Sequence, residues 1–437
     1  MALMDIISLS SDKQAVILDI GHSFTKIGFA GELGPRHIIK SEIRQMKGSI
    51  VQIRKIFQSG LSKEEMHEIF REFIHMVYFK YLLVNPKERR VVICESIFQS
   101  VDVRNILAKV MFKHFDVVSL AFAPSDLLAL FSSGLRSGLI LDCGYYETSI
   151  VPVYEQTPII KAAKFFPVAS KELHDDIKSQ ILSNGIVTIN GNEIPAKDHL
   201  SDINEDTLED IKIRCCFVGK RGVARSAKDV SYPLKENQVL RVDGKLRAHA
   251  YDILFNGDEE DRSLATLILD SILSTPIDCR RTLAENVVLI GGSVMAPGFE
   301  NRLHEELSFL LNETHYQKKI KMTSIKIKRS PVPSIYSSWQ GGAIFGALEV
   351  LADHSISRDR YHTNPFIPDW ASVLSHKEES KNIIEEGKYK WSGFRKSVPS
   401  ALSSVTKSQS SPSTVSPATV ADKSALNLVG LKHKTET

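Results

Sequence analysis

AVILDIGHSFTKIGFAGE, residues 15–32, opens with an apolar run that ends at Asp19, turns at Gly21 and resumes as a second run through Phe29. Apolar runs of this kind on either side of a glycine turn read as two paired strands. The device recurs in LILDCGYYETSIVPVYE, residues 139–155, where Asp142 again stands two positions ahead of a glycine, Gly144, and a returning strand follows. A third run, NVVLIGGSVMAPGFENRLHEELSFLL from Asn286, passes Gly291 and Gly292 and enters a helix with Leu303, Leu307, Leu310 and Leu311 on one side. Between these, Val103, Leu107, Val110 and Met111 have helical spacing, and a further helix is expected over residues 126–131 after Pro124. Strands and helices therefore alternate, and two α/β halves are predicted. SWQGGAIFGALEVLAD, from Ser338, is read as placing its glycines ahead of an apolar helix, which suits packing against a strand or a ligand.

An Asp at a strand end, with Gly two residues on, pairs a carboxylate that holds a hydrated cation with backbone N–H groups that meet phosphate oxygens. Two such hairpins suit the two sides of one polyphosphate. Each hairpin taken alone also suits an ordinary tight turn, because Asp and Gly are common turn residues. Lys26, on the returning strand, either reaches a β-phosphate or snorkels to water. Gly291 and Gly292 are either a third wall of the same site or a plain strand-to-helix turn.

The chain has 437 residues, enough for two or three compact units at roughly 150 residues each. Hydrophobic residues at 43% and charged residues at 24% are the balance of a soluble globular protein, and the formal charge of +3 does not favour nucleic acid as a partner. Five cysteines without CxxC spacing, behind an N-terminus without a signal-peptide pattern, predict a reducing cytosolic setting. No apolar run approaches the roughly 20 residues of a membrane span. The histidines form no HExxH or Cys/His cluster, and no metal site is expected. Residues 397–420 are rich in Ser, Thr, Pro, Val and Ala, and the segment after residue 375 is expected to be a disordered tail.

GFAGELGPR at residues 28–36, with Asp19 and Lys26 ahead of it, resembles the phosphate-binding hairpin of actins and its continuation. LVNPKERRVVICES at residues 83–96, LDCG with VPVYE, LEDIK near residue 210, IGGSVMAPGF and the run Tyr336 to Gly342 follow in actin order. The chain is thereby identified as a member of the actin-related proteins, most similar to the divergent member at the pointed end of dynactin. The resemblance implies an α/β, actin-like ATPase (ribonuclease H-like) fold, two domains of two subdomains each around a nucleotide cleft. The expected boundaries are 1–40, 58–132 and 337–374 for the first subdomain, 41–57 for a shortened second, 133–168 and 260–336 for the third, and 169–259 for the fourth. It also implies nucleotide contacts at Asp19, Gly21, Lys26, Asp142, Gly144, Lys212, Gly291 and Gly292, with ATP or ADP as the occupant.

Departures from the actin pattern bear on activity. His22 and Ser23 follow the first turn glycine where actins have Ser and Gly, and Tyr145-Tyr146 replace an Asp-Gly pair in the second, so the second turn is expected to be reshaped. The Gln and His that orient the attacking water in actins align with Ser125 and Ser149, which have neither the reach nor a neutral-range pKa. Ile213 replaces a ribose-binding Glu, and Ala296 and Ile335 replace an aromatic and a lysine beside the adenine. No catalytic residue is assigned, and no useful ATPase is expected. Between Gly31 and Tyr81 the chain is shorter than actin in the outward loop that joins filament subunits. The resemblance so implies a cap: partners are the actin-like filament subunit of dynactin and the other pointed-end subunits, with dynein indirectly, in a cytoplasmic, cytoskeleton-associated setting. A nuclear subunit of a chromatin-remodelling complex and a weak actin-fold ATPase are the alternatives. NGIVTINGNEIPAKDHLSDINED, from Asn184, is read as an extra surface loop, and KIKMTSIKIKRSPVPS, from Lys319, as a lysine-protected edge strand.

Overall fold

Val16, Ile17 and Leu18 are wholly buried, and they form the middle of strand β1 (Val16–Ile20), which turns at Gly21 into β2 (Phe24–Phe29). The computed structural model describes residues 13–367, apart from 48–49, 201, 223–226, 236 and 259–260; the expected tail lies outside the described residues. After β3 (His37–Lys40) come β4 (Glu42–Lys47) and β5 (Ile50–Lys55), which pair only with each other. Helix α1 (Lys63–Met76) begins at Ser62 with a reciprocal cap to Glu65 and buries Ile69, Phe70, Phe73 and Ile74. Next are β6 (Arg90–Glu95), α2 (Val101–Lys113), β7 (Ser119–Pro124) and α3 (Ser125–Ser132). With β18 (Ile356–Ser357), these strands and β1 to β3 make a six-stranded sheet in the order β18-β7-β6-β1-β2-β3.

The second half repeats the plan. Strand β8 (Gly138–Cys143) turns into β9 (Thr148–Tyr154), joined at the edge by β10 (Thr157–Pro158) and β11 (Lys164–Phe166). Helix α4 (Ser170–Asn184) leads into β12 (Ile186–Ile189) and β13 (Asn192–Pro195), and helix α5 (Glu205–Cys215) into β14 (Val230–Lys235) and β15 (Gln238–Val242). Helix α6 (Leu264–Leu273), strand β16 (Val287–Gly291), helix α7 (Phe299–Asn312), β17 (Ile327–Lys328), helix α8 (Ser337–Gly346) and β18 (Ile356–Ser357) follow. The second sheet runs β10-β9-β8-β16-β17, and a four-stranded sheet runs β13-β12-β15-β14.

Each main sheet thus contains one three-strand unit, a buried strand with an antiparallel hairpin partner on one side and a parallel strand on the other: β1 with β2 and β6, β8 with β9 and β16. Strands enclosed on both faces read as continuous apolar runs, which is why both units were visible as such. The registers coincide: Asp19 lies opposite Lys26, and Asp142 opposite Ser149. Both turns close alike, with the Gly21 N–H donating to the Phe24 carbonyl at 3.2 Å and the Gly144 N–H to the Glu147 carbonyl at 3.1 Å.

Two expectations are corrected and one is narrowed. Residues 186–195 are not a loop; they form the β12–β13 hairpin inside the four-stranded sheet, turning at Asn190 and Gly191, both with positive φ as a tight hairpin turn requires. The basic run from Lys319 does supply an edge strand, but only the two residues of β17 (Ile327–Lys328) at the end of the second sheet, and Lys319 itself closes a short preceding helix, Thr314–Lys319. The glycines of α8 lie within the helix, not ahead of it. A Cβ on Gly341 would stand 2.0 Å from the Leu128 carbonyl oxygen of α3, and one on Gly342 2.7 Å from Cys94 Sγ of β6, so their purpose is close packing of protein on protein.

Candidate functional site

The two hairpin turns face one cleft of about 230 Å³ between the main sheets. All eight residues expected at the site, Asp19, Gly21, Lys26, Asp142, Gly144, Lys212, Gly291 and Gly292, line it, together with Ser125, Ser149 and Ile335. Lys26 and Asp19, opposite each other in the β1–β2 register, bring Nζ and Oδ2 to 3.1 Å, and each side chain is 14% exposed. Gly291 has φ of 98°, and a Cβ there would stand 2.2 Å from the Cys143 carbonyl oxygen and 3.2 Å from Asp142 Oδ1. Glycine at this point is what allows β16 to close against the Asp142 strand end.

Burial pushes the Asp142 carboxyl up to about 6; Lys26 offsets this in part, while Asp19 and Glu147 add to it. Asp126, in the first turn of α3, is raised further, to about 7, by burial and then by the Asp142 charge. The sequence reading passed over Asp126, because an acid just inside a helix start is ordinary there. At the other end of the cleft Lys212 is 5% exposed, and its Nζ is 2.6 Å from Glu209 Oε2, which also meets His174 Nε2 at 2.9 Å. Burial opposes ionisation of Glu209, but the His174 hydrogen bond and the Lys212 charge override it and hold the carboxyl at about 2. Lys212 is therefore in the cleft, yet its charge is already answered by the protein.

Tyr145 and Tyr146 do not reshape the second turn. Neither has positive φ, and the turn keeps the register and closing hydrogen bond of the first. What changes is the surface. Tyr145 and Tyr146 meet edge to face at 4.7 Å, Tyr146 meets His22 at 5.2 Å, and His22 meets Phe57 at 4.7 Å. Gly28, by contrast, serves packing, since a Cβ there would be 2.7 Å from the ring of the wholly buried Trp339, whose indole N–H donates to the Ile17 carbonyl.

A duplicated strand-turn-strand unit around a cleft, with an acid ahead of a glycine turn on each side, is the plan of the actin-like ATPase fold. The family described as Actin matches residues 10–365, and the chain belongs to that family. Among curated proteins the chain is similar to Actin-related protein 10 of Dictyostelium discoideum, 26% identical over 429 residues that cover 83% of this chain and 90% of that protein.

The cleft fits a nucleotide unevenly. At the phosphate end, two carboxylates, one ammonium and two glycine turns are the donor set of a cation-bridged polyphosphate. At the end where a base is expected, Glu209 occupies Lys212 and Ile335 lines the wall, whereas Ala296, half-buried against the core, and Ile213, 38% exposed, do not line the cleft. Of the described helices, none is long and apolar enough to cross a membrane.

Proposed function

We propose that this chain is a non-catalytic structural subunit of dynactin, placed at the pointed end of its actin-like filament. There it stops filament growth and recruits the other pointed-end subunits, and through that complex it serves dynein-driven transport along microtubules in the cytoplasm. The observation that carries this reading is the small size of the element between β3 and α1. It consists of the β4–β5 hairpin, with only Gly48 and Ser49 between the strands. In actin filaments the element at this place reaches from one subunit's pointed end into the next. A hairpin this short leaves nothing to hold a further subunit, whereas the opposite face remains free to bind, and a head-to-tail contact with one competent face ends where it stands. Similarity to Actin-related protein 10 supports the same reading.

In this reading the subdomains follow the boundaries given above, and the cleft holds ATP or ADP as a structural ligand. Asp19 and Asp142 hold the cation, Lys26 meets a phosphate, and Gly21, Gly144, Gly291 and Gly292 give the ligand room. Hydrolysis is absent because Ser125 and Ser149 stand where a water must be oriented. Native purification of tagged protein with subunit counting tests the role. One copy per actin-like filament, with dynactin components, is the expected result; recovery of helicase-like remodelling subunits instead refutes it. Single-turnover phosphate release at an actin-like rate would refute the inactive cleft.

A further inference from the structure

Above the hairpin turns the two sides of the cleft are tied together by side chains far apart in sequence. Lys55, the last residue of β5, places Nζ 2.5 Å from Oε2 of Glu205, the first residue of α5. Tyr145, from the second hairpin turn, donates its hydroxyl to the other oxygen of the same carboxylate, and Lys55 Nζ lies 5.1 Å from the centre of the Tyr145 ring. Beside them Lys40, at the end of β3, pairs with Asp206. Beside this polar layer is an aromatic one, in which His22, backed by Phe57 on its own side, meets Tyr146 from the other. A small cavity enclosed by these groups adjoins the main cleft and shares His22 and Tyr145 with it.

Exposed ion pairs contribute little singly, and these lysines are each 37% exposed. Here, however, one carboxylate serves a lysine and a tyrosine at once, at the N-terminus of α5, where the helix dipole favours the negative charge. Any motion that parts β3 and the β4–β5 hairpin from α5 breaks both ion pairs together, while the Tyr145 hydroxyl, on the same side as α5, holds the Glu205 carboxylate where Lys55 meets it.

We propose that Tyr145, Glu205 and Lys55, with Lys40 and Asp206 beside them, form a latch across the cleft mouth, so that a nucleoside polyphosphate is retained as a resident ligand and does not exchange freely. The proposal rests on the nucleotide reading of the cleft. It assigns a purpose to Tyr145: the residue that departs from the family's turn braces the Glu205 carboxylate and offers its ring to Lys55, which reaches across the cleft.

The test uses the full-length chain loaded with the fluorescent nucleotide etheno-ATP and Mg²⁺, with release followed after addition of excess ATP. Tyr145→Phe, and separately Lys40→Ala with Lys55→Ala, are compared with Lys178→Ala, which removes an exposed ion pair to Asp202 away from the mouth. The expected result is release faster by roughly 5- to 30-fold in the latch variants, the factor that one or two kcal/mol conveys. Lys178→Ala leaves the rate unchanged, and wild-type release quickens between low and high salt. Equal release in all forms overturns the proposal. Hydrogen exchange of residues 50–57 and 205–212, without added nucleotide, separates the two readings. Protection unchanged by the latch substitutions overturns the latch whatever the cleft holds. Protection lost, with no nucleotide retained by any form, upholds the latch and refutes nucleotide retention.

Discussion

Asp126 is buried and Asp142 half-buried at the cleft wall, and burial raises their carboxyls to about 7 and about 6 from an ordinary 3.8, the Asp142 charge adding to the shift at Asp126. In the folded chain they hold protons that the unfolded chain has released. Their burial is thus without electrostatic cost below about pH 4, and stability falls as pH rises through 6 and 7. Asp126→Asn is expected to raise the urea midpoint at pH 8 by the equivalent of more than about 1 kcal/mol and to leave it unchanged near pH 4. Glu209 has the opposite sign. Its carboxyl is held down at about 2 from 4.5, so its contribution is present above pH 4.5 and is lost as pH falls toward 2. Glu209→Gln leaves Lys212 buried without a counter-charge and is expected to cost about 3–5 kcal/mol, read by denaturant titration at pH 7.

At the scale of elements, the contact of α8 with α3 and β6 depends on absent side chains. Gly341→Ala places a methyl against the Leu128 carbonyl oxygen and is expected to destabilise by about 3 kcal/mol or more, with a lower urea midpoint and an unchanged slope. The β4–β5 hairpin is held to α1 by the Gln45 amide donating to Glu72 at 2.6 Å, while Met46, Val51 and Ile53 stay more than half exposed on the outward side. Met46 lies opposite Val51 in the register, so the three make one apolar face. Val51→Glu with Ile53→Glu is expected to lower recovery of pointed-end subunits in the purification without lowering the melting temperature.

How much was legible depended on sequence distance. The two hairpins were readable because strand, acid and glycine turn lie within eighteen residues or fewer of each other, and their strands are apolar on both faces. Asp19, Lys26 and Asp142 came with them. The stretch from Asn184 read as a loop, and its sheet was not visible, since β12 pairs with β15 some fifty residues on. Alternation in the run from Lys319 suggested an edge strand, and the strand is there at Ile327–Lys328, but its two-residue length could not be read from the alternation. The ties of Glu205 to Lys55 and Tyr145 were invisible because nothing local marks partners 150 and 60 residues away.

At the scale of the whole molecule, the two ends of the cleft differ in their electrical self-sufficiency. Lys212 has its counter-ion within its own helix, whereas Asp19 and Asp142 share the single ammonium of Lys26. In the proposed reading, a cation held by Asp19 and Asp142 makes chelation act on the molecule from one side. Withdrawal of divalent cations is expected to lower the melting temperature through the phosphate end, and Asp142→Asn to abolish that sensitivity. In that reading a preparation stored in chelator would loosen first at the facing hairpin turns, while the Lys212–Glu209–His174 cluster, neutralised from within, is left as it was.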